Sequence, residues 1–182
     1  MIKGSAMNEY SRKYKFSWEV IGHADMNFAR PDLGDSTRVE VYRLLQFTLR
    51  DVLEEQYGTE VTDKLFFDAG KLAGTAFYER YCGGITDLSV LAKTIQDQFR
   101  ELGIGVVRFE IADETTMIFQ LTVDEDLDCS GLPDSDDHIC VYDEGFIKGI
   151  LDSFTGKDFT VREVDCWCSG ARTCRFRASA NG

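Results

Sequence analysis

Six cysteines and one glutamate carry the chemistry that this sequence offers. Five of the cysteines lie close together in the C-terminal part of the 182-residue chain: Cys129, Cys140, Cys166, Cys168 and Cys174. Cys82 lies well upstream of them. The opening residues contain no apolar segment of the secretory type, so we expect a cytoplasmic protein. In that reducing compartment, clustered cysteines bind metals or take part in redox chemistry more often than they form disulfides.

In the last predicted hairpin, a carboxylate and a thiol both point toward the protein interior. Alternation over 159–164 places Glu163 on the face of Phe159 and Val161, and alternation over 173–178 places Cys174 on the face of Phe176. A buried, unpaired carboxylate costs several kcal/mol unless it finds a partner. A bound cation would supply that partner.

Glu163, Cys166 and Cys174 have the spacing E-x2-C-x7-C, and Cys140 precedes the helix before this hairpin. Three thiolates and one carboxylate suit a tetrahedral Zn²⁺ ion, and four protein ligands leave no open position, so such a site is structural. Cys129 and Cys168 compete for the same role. Four cysteines could also hold an iron–sulfur cluster, which would colour the protein.

Composition excludes several classes of function. The formal net charge is −12 and the isoelectric point is near 4.6, which argues against nucleic acid or an anionic membrane as a partner. We find no apolar run of the ~20 residues that cross a bilayer. Only His23 and His138 are available for general-base or axial-ligand chemistry.

Hydrophobic periodicity predicts an α+β fold in which N-terminal helices pack on an antiparallel sheet. The predicted order is three helices (from about 41 to 58, 61 to 83 and 88 to 102), a hairpin (106–111 and 117–123), a loop, a helix (143–155) and a second hairpin (159–164 and 173–178). Residues 1–35 are expected to form a tag remnant and a dimerisation arm, and 36–182 the main domain. The spacing of Gly70, Ala73 and Gly74 predicts close approach of a neighbouring element.

Several local assignments refine this order. Phe16, Trp18 and Val20 alternate, which suggests a short strand or an arm. Ser36 is the expected N-cap of the first long helix, and Asp143 that of the last helix. The acidic residues between Asp124 and Asp137 do not match a Ca²⁺-binding loop, so we expect a solvated loop there.

Residues 129–176 resemble the 4-vinyl-reductase domain family. The resemblance rests on Cys-Ser-Gly-Leu-Pro at 129–133, on Cys140, on Gly-Phe-Ile-Lys-Gly-Ile-Leu at 145–151, and on Val-Arg-Glu-Val-Asp-Cys at 161–166 followed by Cys-Arg-Phe at 174–176. The upstream helices carry only a loose similarity.

This resemblance implies a fold related to haem-type nitric-oxide-binding domains and to subunits of the transport particles of vesicle tethering. It also implies a structural zinc held by Cys140, Glu163, Cys166 and Cys174, beside an enclosed pocket for an aromatic ligand. Phenol- and toluene-responsive activators use such a domain as their sensory module. A homodimer that signals to a fused or separate output domain is therefore expected here.

The predicted pocket is apolar. Its expected lining is aromatic: Phe99, Phe109, Phe119, Tyr142, Phe146 and Phe159. The phenol sensors anchor a hydroxyl group with a His and a Trp, and neither occurs in the third helix or the central hairpin of this chain. The sequence therefore favours a hydrophobic guest other than phenol.

The leading hypothesis is a non-enzymatic sensory or binding module. One alternative is an enzyme or accessory factor that reduces a tetrapyrrole vinyl group, although no G-x-G-x-x-G fingerprint follows a strand. Another is a haem or tetrapyrrole sensor with His138 or His23 as axial ligand. A fourth is a purely structural dimerisation piece. The roles of Cys82, Cys129 and Cys168 stay open at this point.

Overall fold

The computed structural model describes residues 14–22, 25–135 and 139–182. The chain divides into two compact units, with the boundary between Asp35 and Ser36. The described part of the first unit contains two short helices, α1 (Trp18–Gly22) and α2 (Met26–Ala29). A strand at Phe16–Val20 is therefore wrong, because three alternating apolar residues are too few to distinguish a strand from other local structure.

The second unit is an α+β domain, as predicted. Its helices are α3 (Val39–Tyr57), α4 (Thr59–Phe77), α5 (Leu88–Glu101) and α6 (Val141–Thr155). Its strands are β1 (Val106–Asp113), β2 (Ile118–Asp124), β3 (Phe159–Asp165) and β4 (Cys174–Ala180). They form one antiparallel sheet in the order β1-β2-β4-β3. No helix among the described residues has the length and apolar character needed to cross a membrane.

Two helix starts differ from the sequence predictions. Helix α3 begins after Arg38 rather than at Ser36, and α6 begins after Cys140 rather than at Asp143. Neither N-cap makes a side-chain hydrogen bond. Ser and Asp are frequent N-caps, but the residue type alone does not fix where a helix begins.

Helices α4 and α6 lie backbone to backbone. A Cβ atom on Gly70 would stand 2.0 Å from the carbonyl oxygen of Tyr142, and one on Gly74 would stand 2.0 Å from that of Phe146. Gly145 and Gly149 of α6 meet the backbone of α4 in the same way. The predicted close approach is confirmed, and its partner is the helix that precedes the last hairpin.

The predicted burial of the last hairpin is confirmed. Phe159 and Val161 of β3, like Cys174, Phe176 and Ala178 of β4, are all at most 1% exposed. In the first hairpin a bulge shifts the register between Phe109 and Ile111, which leaves Ile111 42% exposed. Ile111 alternates with Val107 and Phe109 in the sequence but does not share their burial, because the bulge interrupts the alternation.

Candidate functional site: a buried cysteine cluster beside an apolar cavity

Four cysteine side chains meet at one buried point. The sulfur atoms of Cys129, Cys140, Cys166 and Cys174 all lie within 4.8 Å of one another, and each residue is 0% exposed. The Cys140 sulfur is 3.9 Å from that of Cys166 and 3.8 Å from that of Cys174. The Cys129 and Cys174 sulfurs are 3.0 Å apart.

The four cysteines come from four different parts of the fold. Cys129 follows β2, Cys140 is the N-cap of α6, Cys166 follows β3, and Cys174 is the first residue of β4. Pairing of Cys174 with Val123 holds the end of β4 beside the end of β2. The cluster therefore lies where two strand ends and a helix start converge.

A tight turn after Cys166 directs backbone N–H groups at its sulfur. A short 3₁₀ turn spans Trp167–Ser169, and the Ser169 N–H donates to the Cys166 side chain. Hydrogen bonds from Cys129, Cys140 and Cys174, together with the Cys168 N–H, lower the pKa of Cys166. Hydrogen bonding to the other three thiols and burial raise the pKa of Cys140.

Glu163 lies against this cluster. Both of its carboxylate oxygens are buried. Burial, followed by the charge of Cys166, raises the pKa of Glu163 to about 8, while hydrogen bonds with Cys140 and Cys174 act in the opposite direction. The structure thus brings all four ligands implied by the resemblance into one neighbourhood, and adds Cys129.

The donor set fits a tetrahedral metal ion. Zn–S bonds of ~2.3 Å place tetrahedral sulfur ligands ~3.8 Å apart. The two distances from the Cys140 sulfur match that edge. Cys168 is also buried but is not a member of the group of four.

The loop that carries Cys129 is held from two sides. Asp126 Oδ1 accepts hydrogen bonds from the N–H groups of Asp128 (2.8 Å) and Cys129 (3.1 Å). Asp128 accepts hydrogen bonds from Tyr42 Oη (2.7 Å) and Gln46 Nε2 (2.8 Å) of α3. These contacts fix the backbone on both sides of the cysteine.

The prediction of a solvated loop between Asp124 and Asp137 is wrong for two residues, because Asp126 is 2% exposed and Asp128 is 4% exposed. Arg43 completes the attachment by donating to the carbonyls of Leu127 (2.9 Å) and Ser130 (2.8 Å). The sequence alone did not predict these contacts with α3, because the α3 residues stand more than 80 positions before the loop residues that they contact. Asp136, Asp137, His138 and His23 lie outside the described residues.

A small apolar cavity lies between the sheet and two helices. Its lining consists of Ile95, Phe99, Val107, Phe109, Leu121, Ile147, Ile150 and Leu151. Its volume is about 20 Å³, which is room for about one water molecule. The cavity is thus closely packed in this conformation.

Two of the six predicted pocket residues, Phe99 and Phe109, line this cavity. Phe146 packs edge-on against Phe99, with ring centroids 5.6 Å apart, and Tyr142 lies 6.4 Å from Phe146. Phe119 and Phe159 contact each other elsewhere in the core, at 5.7 Å. The aliphatic lining was missed because Leu, Ile and Val give the same pattern in an ordinary core.

The comparisons with known proteins confirm the resemblance over the C-terminal part of the chain. Residues 119–180 match the model of the 4-vinyl-reductase domain family. An uncharacterized protein of Methanocaldococcus jannaschii is 22% identical over 145 residues, which are 80% of this chain and 79% of that protein. The segment that matches this family begins in β2 and includes α6 and the last hairpin.

Solved structures share the fold of the larger unit. The phenol-responsive sensory domain of the transcription activator PoxR, solved with phenol, has a TM-score of 0.61 at 16% identity, covering 79% of this chain and 75% of that one. A vinyl-4-reductase family protein of M. jannaschii has a TM-score of 0.56 at 14% identity, covering 82% and 85%. These likenesses establish the architecture.

The fold is also shared with the two other protein classes that the resemblance implies, the transport-particle subunits and the haem-type nitric-oxide-binding domains. A trafficking protein particle complex subunit 3 of Naegleria fowleri, covalently bound to palmitic acid, has a TM-score of 0.60 at 12% identity, covering 79% of this chain and 95% of that one. An H-NOX domain of Shewanella oneidensis has a TM-score of 0.54 at 13% identity, covering 82% and 80%.

Proposed function

We propose that this chain is a sensory or binding module that encloses a small hydrophobic molecule and has no catalytic activity of its own. The observation that carries the proposal is the apolar cavity between α5, α6 and the β1–β2 hairpin. It lies at the interface of helices and sheet, where enclosed ligands commonly bind. Its volume of about 20 Å³ is far below that of ligand pockets, so a guest must displace side chains to enter.

Two structural relatives support a hydrophobic guest. One is solved with phenol and the other is covalently bound to palmitic acid. All eight residues that line the cavity here are aliphatic or phenylalanine. A ligand hydroxyl would lose its hydrogen bonds to water in such a lining. We therefore infer an aromatic or aliphatic hydrocarbon rather than phenol itself.

The cysteine cluster would serve as a structural metal site in this module. Cys140, Cys166 and Cys174 are common to the set implied by the resemblance and to the group of four sulfurs. A Zn²⁺ ion bound by them would join the start of α6 to the ends of β3 and β4 and would add its binding free energy to that of folding. Glu163 and Cys129 are the two candidates for the fourth ligand.

Helix α3 offers the surface for a homodimer. Five of its large apolar residues lie on one side of the helix and are 47–69% exposed: Val41, Leu44, Leu45, Leu49 and Val52. Helix α3 has no buried residue and is attached to the loop after β2 through polar side chains. Apolar patches beyond a few hundred Å² commonly mark interaction sites. We infer that a second copy covers this face and that the signal passes through it to an output domain, fused or separate.

Ligand entry can be tested with a variant that fills the cavity. Leu121→Trp adds an indole ring on the lining face of β2, whereas Val164→Trp places the same ring on β3, where Val164 is 46% exposed. Isothermal titration with toluene and with phenol should show toluene binding to the wild-type chain and to Val164→Trp, and little or none to Leu121→Trp. Equal binding by both variants, or tighter binding of phenol than of toluene, would contradict the proposal.

A further inference from the structure

The resemblance implies that the zinc has three thiolate ligands and one carboxylate ligand. We propose that Cys129, rather than Glu163, completes the tetrahedron, so that four thiolates hold the ion and the Glu163 carboxyl lies outside them. This inference rests on the zinc site of the proposed function and specifies its ligands. It assigns a role to a cysteine whose role the sequence leaves open.

The first argument is the mutual placement of the sulfurs. Cys129 belongs to a group whose four sulfur atoms lie within 4.8 Å of one another. The Glu163 carboxylate is not a member of that group. A tetrahedral ion requires each ligand atom to stand about equally far from the other three. The Cys129 sulfur lies within 4.8 Å of the other three and 3.0 Å from that of Cys174, so a move of ~0.8 Å away from Cys174 brings that pair to the tetrahedral edge of ~3.8 Å.

The second argument is the support beneath Cys129. The hydrogen bond from its N–H to Asp126, and those from Arg43 to the flanking carbonyls of Leu127 and Ser130, hold the loop in place. Residues next to metal ligands commonly supply such hydrogen bonds and orient the ligand. The loop thus presents a fixed sulfur with no exposed surface.

The third argument is ligand chemistry. Five donors surround one point, and a tetrahedral site takes four of them. Thiolates are softer ligands than carboxylates, and Cys₄ is a common structural zinc set. A Glu163 side chain left outside the tetrahedron remains close enough to hydrogen-bond Cys140 or Cys174, whose interactions with it are already present.

Cobalt substitution counts the thiolates directly. The chain is prepared metal-free under reducing conditions and titrated with Co²⁺, and the near-ultraviolet sulfur-to-cobalt charge-transfer band is measured per bound ion. Cys129→Ser should lose about a quarter of that intensity, because four thiolates become three. Glu163→Gln and Cys168→Ser, the latter a buried cysteine outside the group of four, should keep the wild-type intensity and band positions.

The opposite pattern, an unchanged Cys129→Ser spectrum with a shifted Glu163→Gln spectrum, would overturn the inference and leave the zinc site standing. Zinc-edge X-ray absorption of the wild-type chain requires no variant. Four sulfur neighbours at ~2.3 Å would support Cys129, and three with one oxygen at ~2.0–2.2 Å would overturn it. Failure of the wild-type chain to bind either ion would reject the metal site as a whole.

Discussion

The phenolic oxygen of Tyr42 lies 2.7 Å from Asp128 Oδ1, which joins helix α3 to the residue that precedes Cys129. Burial is the main cause that raises the pKa of Tyr42 far above its ordinary value, and the negative charge of Asp128 adds to it. This hydrogen bond is one of four that connect helix α3, proposed for dimerisation, with the loop of the cysteine cluster.

Removal of this hydroxyl should cost stability. Tyr42→Phe leaves Asp128, which is 4% exposed, with one hydrogen-bond donor fewer. We expect the free energy of unfolding in urea to fall by about 1–2 kcal/mol. Tyr57→Phe is the matched control, because Tyr57 lies on the same helix and is 57% exposed. An equal loss in both variants would show that the bond to Asp128 contributes nothing.

The same residue should produce an alkaline pH dependence. Tyrosine in the unfolded chain ionises near its ordinary pKa of 10.0, whereas the folded chain keeps Tyr42 protonated to higher pH. A raised folded-state pKa contributes stability that is fully present below pH 10 and is lost as the pH rises above it. The difference in unfolding free energy between the wild type and Tyr42→Phe should therefore shrink above pH 10. A difference that stays constant to pH 11 would contradict this assignment.

The contact between α4 and α6 should not tolerate a methyl group. In Gly74→Ala the new Cβ would lie 2.0 Å from the carbonyl oxygen of Phe146, so one helix must move. We expect a loss of about 2–4 kcal/mol by chemical denaturation. Ala69→Ser on the exposed side of the same helix should change stability little. A wild-type denaturation curve for Gly74→Ala would exclude backbone contact between these helices.

Charge on the apolar face of α3 should separate the proposed dimer. Leu45 is 69% exposed and Leu49 is 48% exposed. Glutamates at both positions place buried, unpaired carboxylates in the interface, so sedimentation should shift from dimer to monomer. Val164→Glu, on a different exposed surface, should leave the mass unchanged. A monomeric wild-type chain would remove the dimer from the proposal.

Metal removal should lower the thermal stability of the wild-type chain. Cys166 receives backbone hydrogen bonds and joins β3 to the cluster, so Cys166→Ser should bind less zinc and melt at a lower temperature. A strong chelator should lower the melting temperature of the wild type but not that of Cys166→Ser. Cys168→Ser should remain sensitive to the chelator. Insensitivity of the wild type would contradict a structural ion.

Local patterns predicted the elements well and their ends less well. The helical spacing of Leu91, Ile95 and Phe99 and the alternation of Cys174, Phe176 and Ala178 both have buried faces in the structure. The starts of α3 and α6 were not at the expected Ser36 and Asp143. The exposure of Ile111 depends on the bulge in the pairing of β1 with β2, which the periodicity of one strand does not contain.

The residues of the candidate site were likewise only partly predictable from the sequence. Its three shared cysteines could be found from their spacing and from the resemblance. The burial of Asp126 and Asp128 could not, because it depends on hydrogen bonds within the loop and on α3 partners distant in sequence. The cavity lining was only partly found, since an aliphatic residue that lines a cavity has the same sequence pattern as one that fills a core.

Cys140 is the N-cap of helix α6, which carries Ile147, Ile150 and Leu151 along the cavity wall. Its residues advance ~1.5 Å each, so seven positions span ~10 Å of a stiff rod. A metal ion that holds Cys140 in place would therefore also restrict the position of Ile147 in the cavity wall. If the proposed metal ion changes the affinity for the proposed hydrophobic ligand, the ligand must change the affinity for the ion by the same factor.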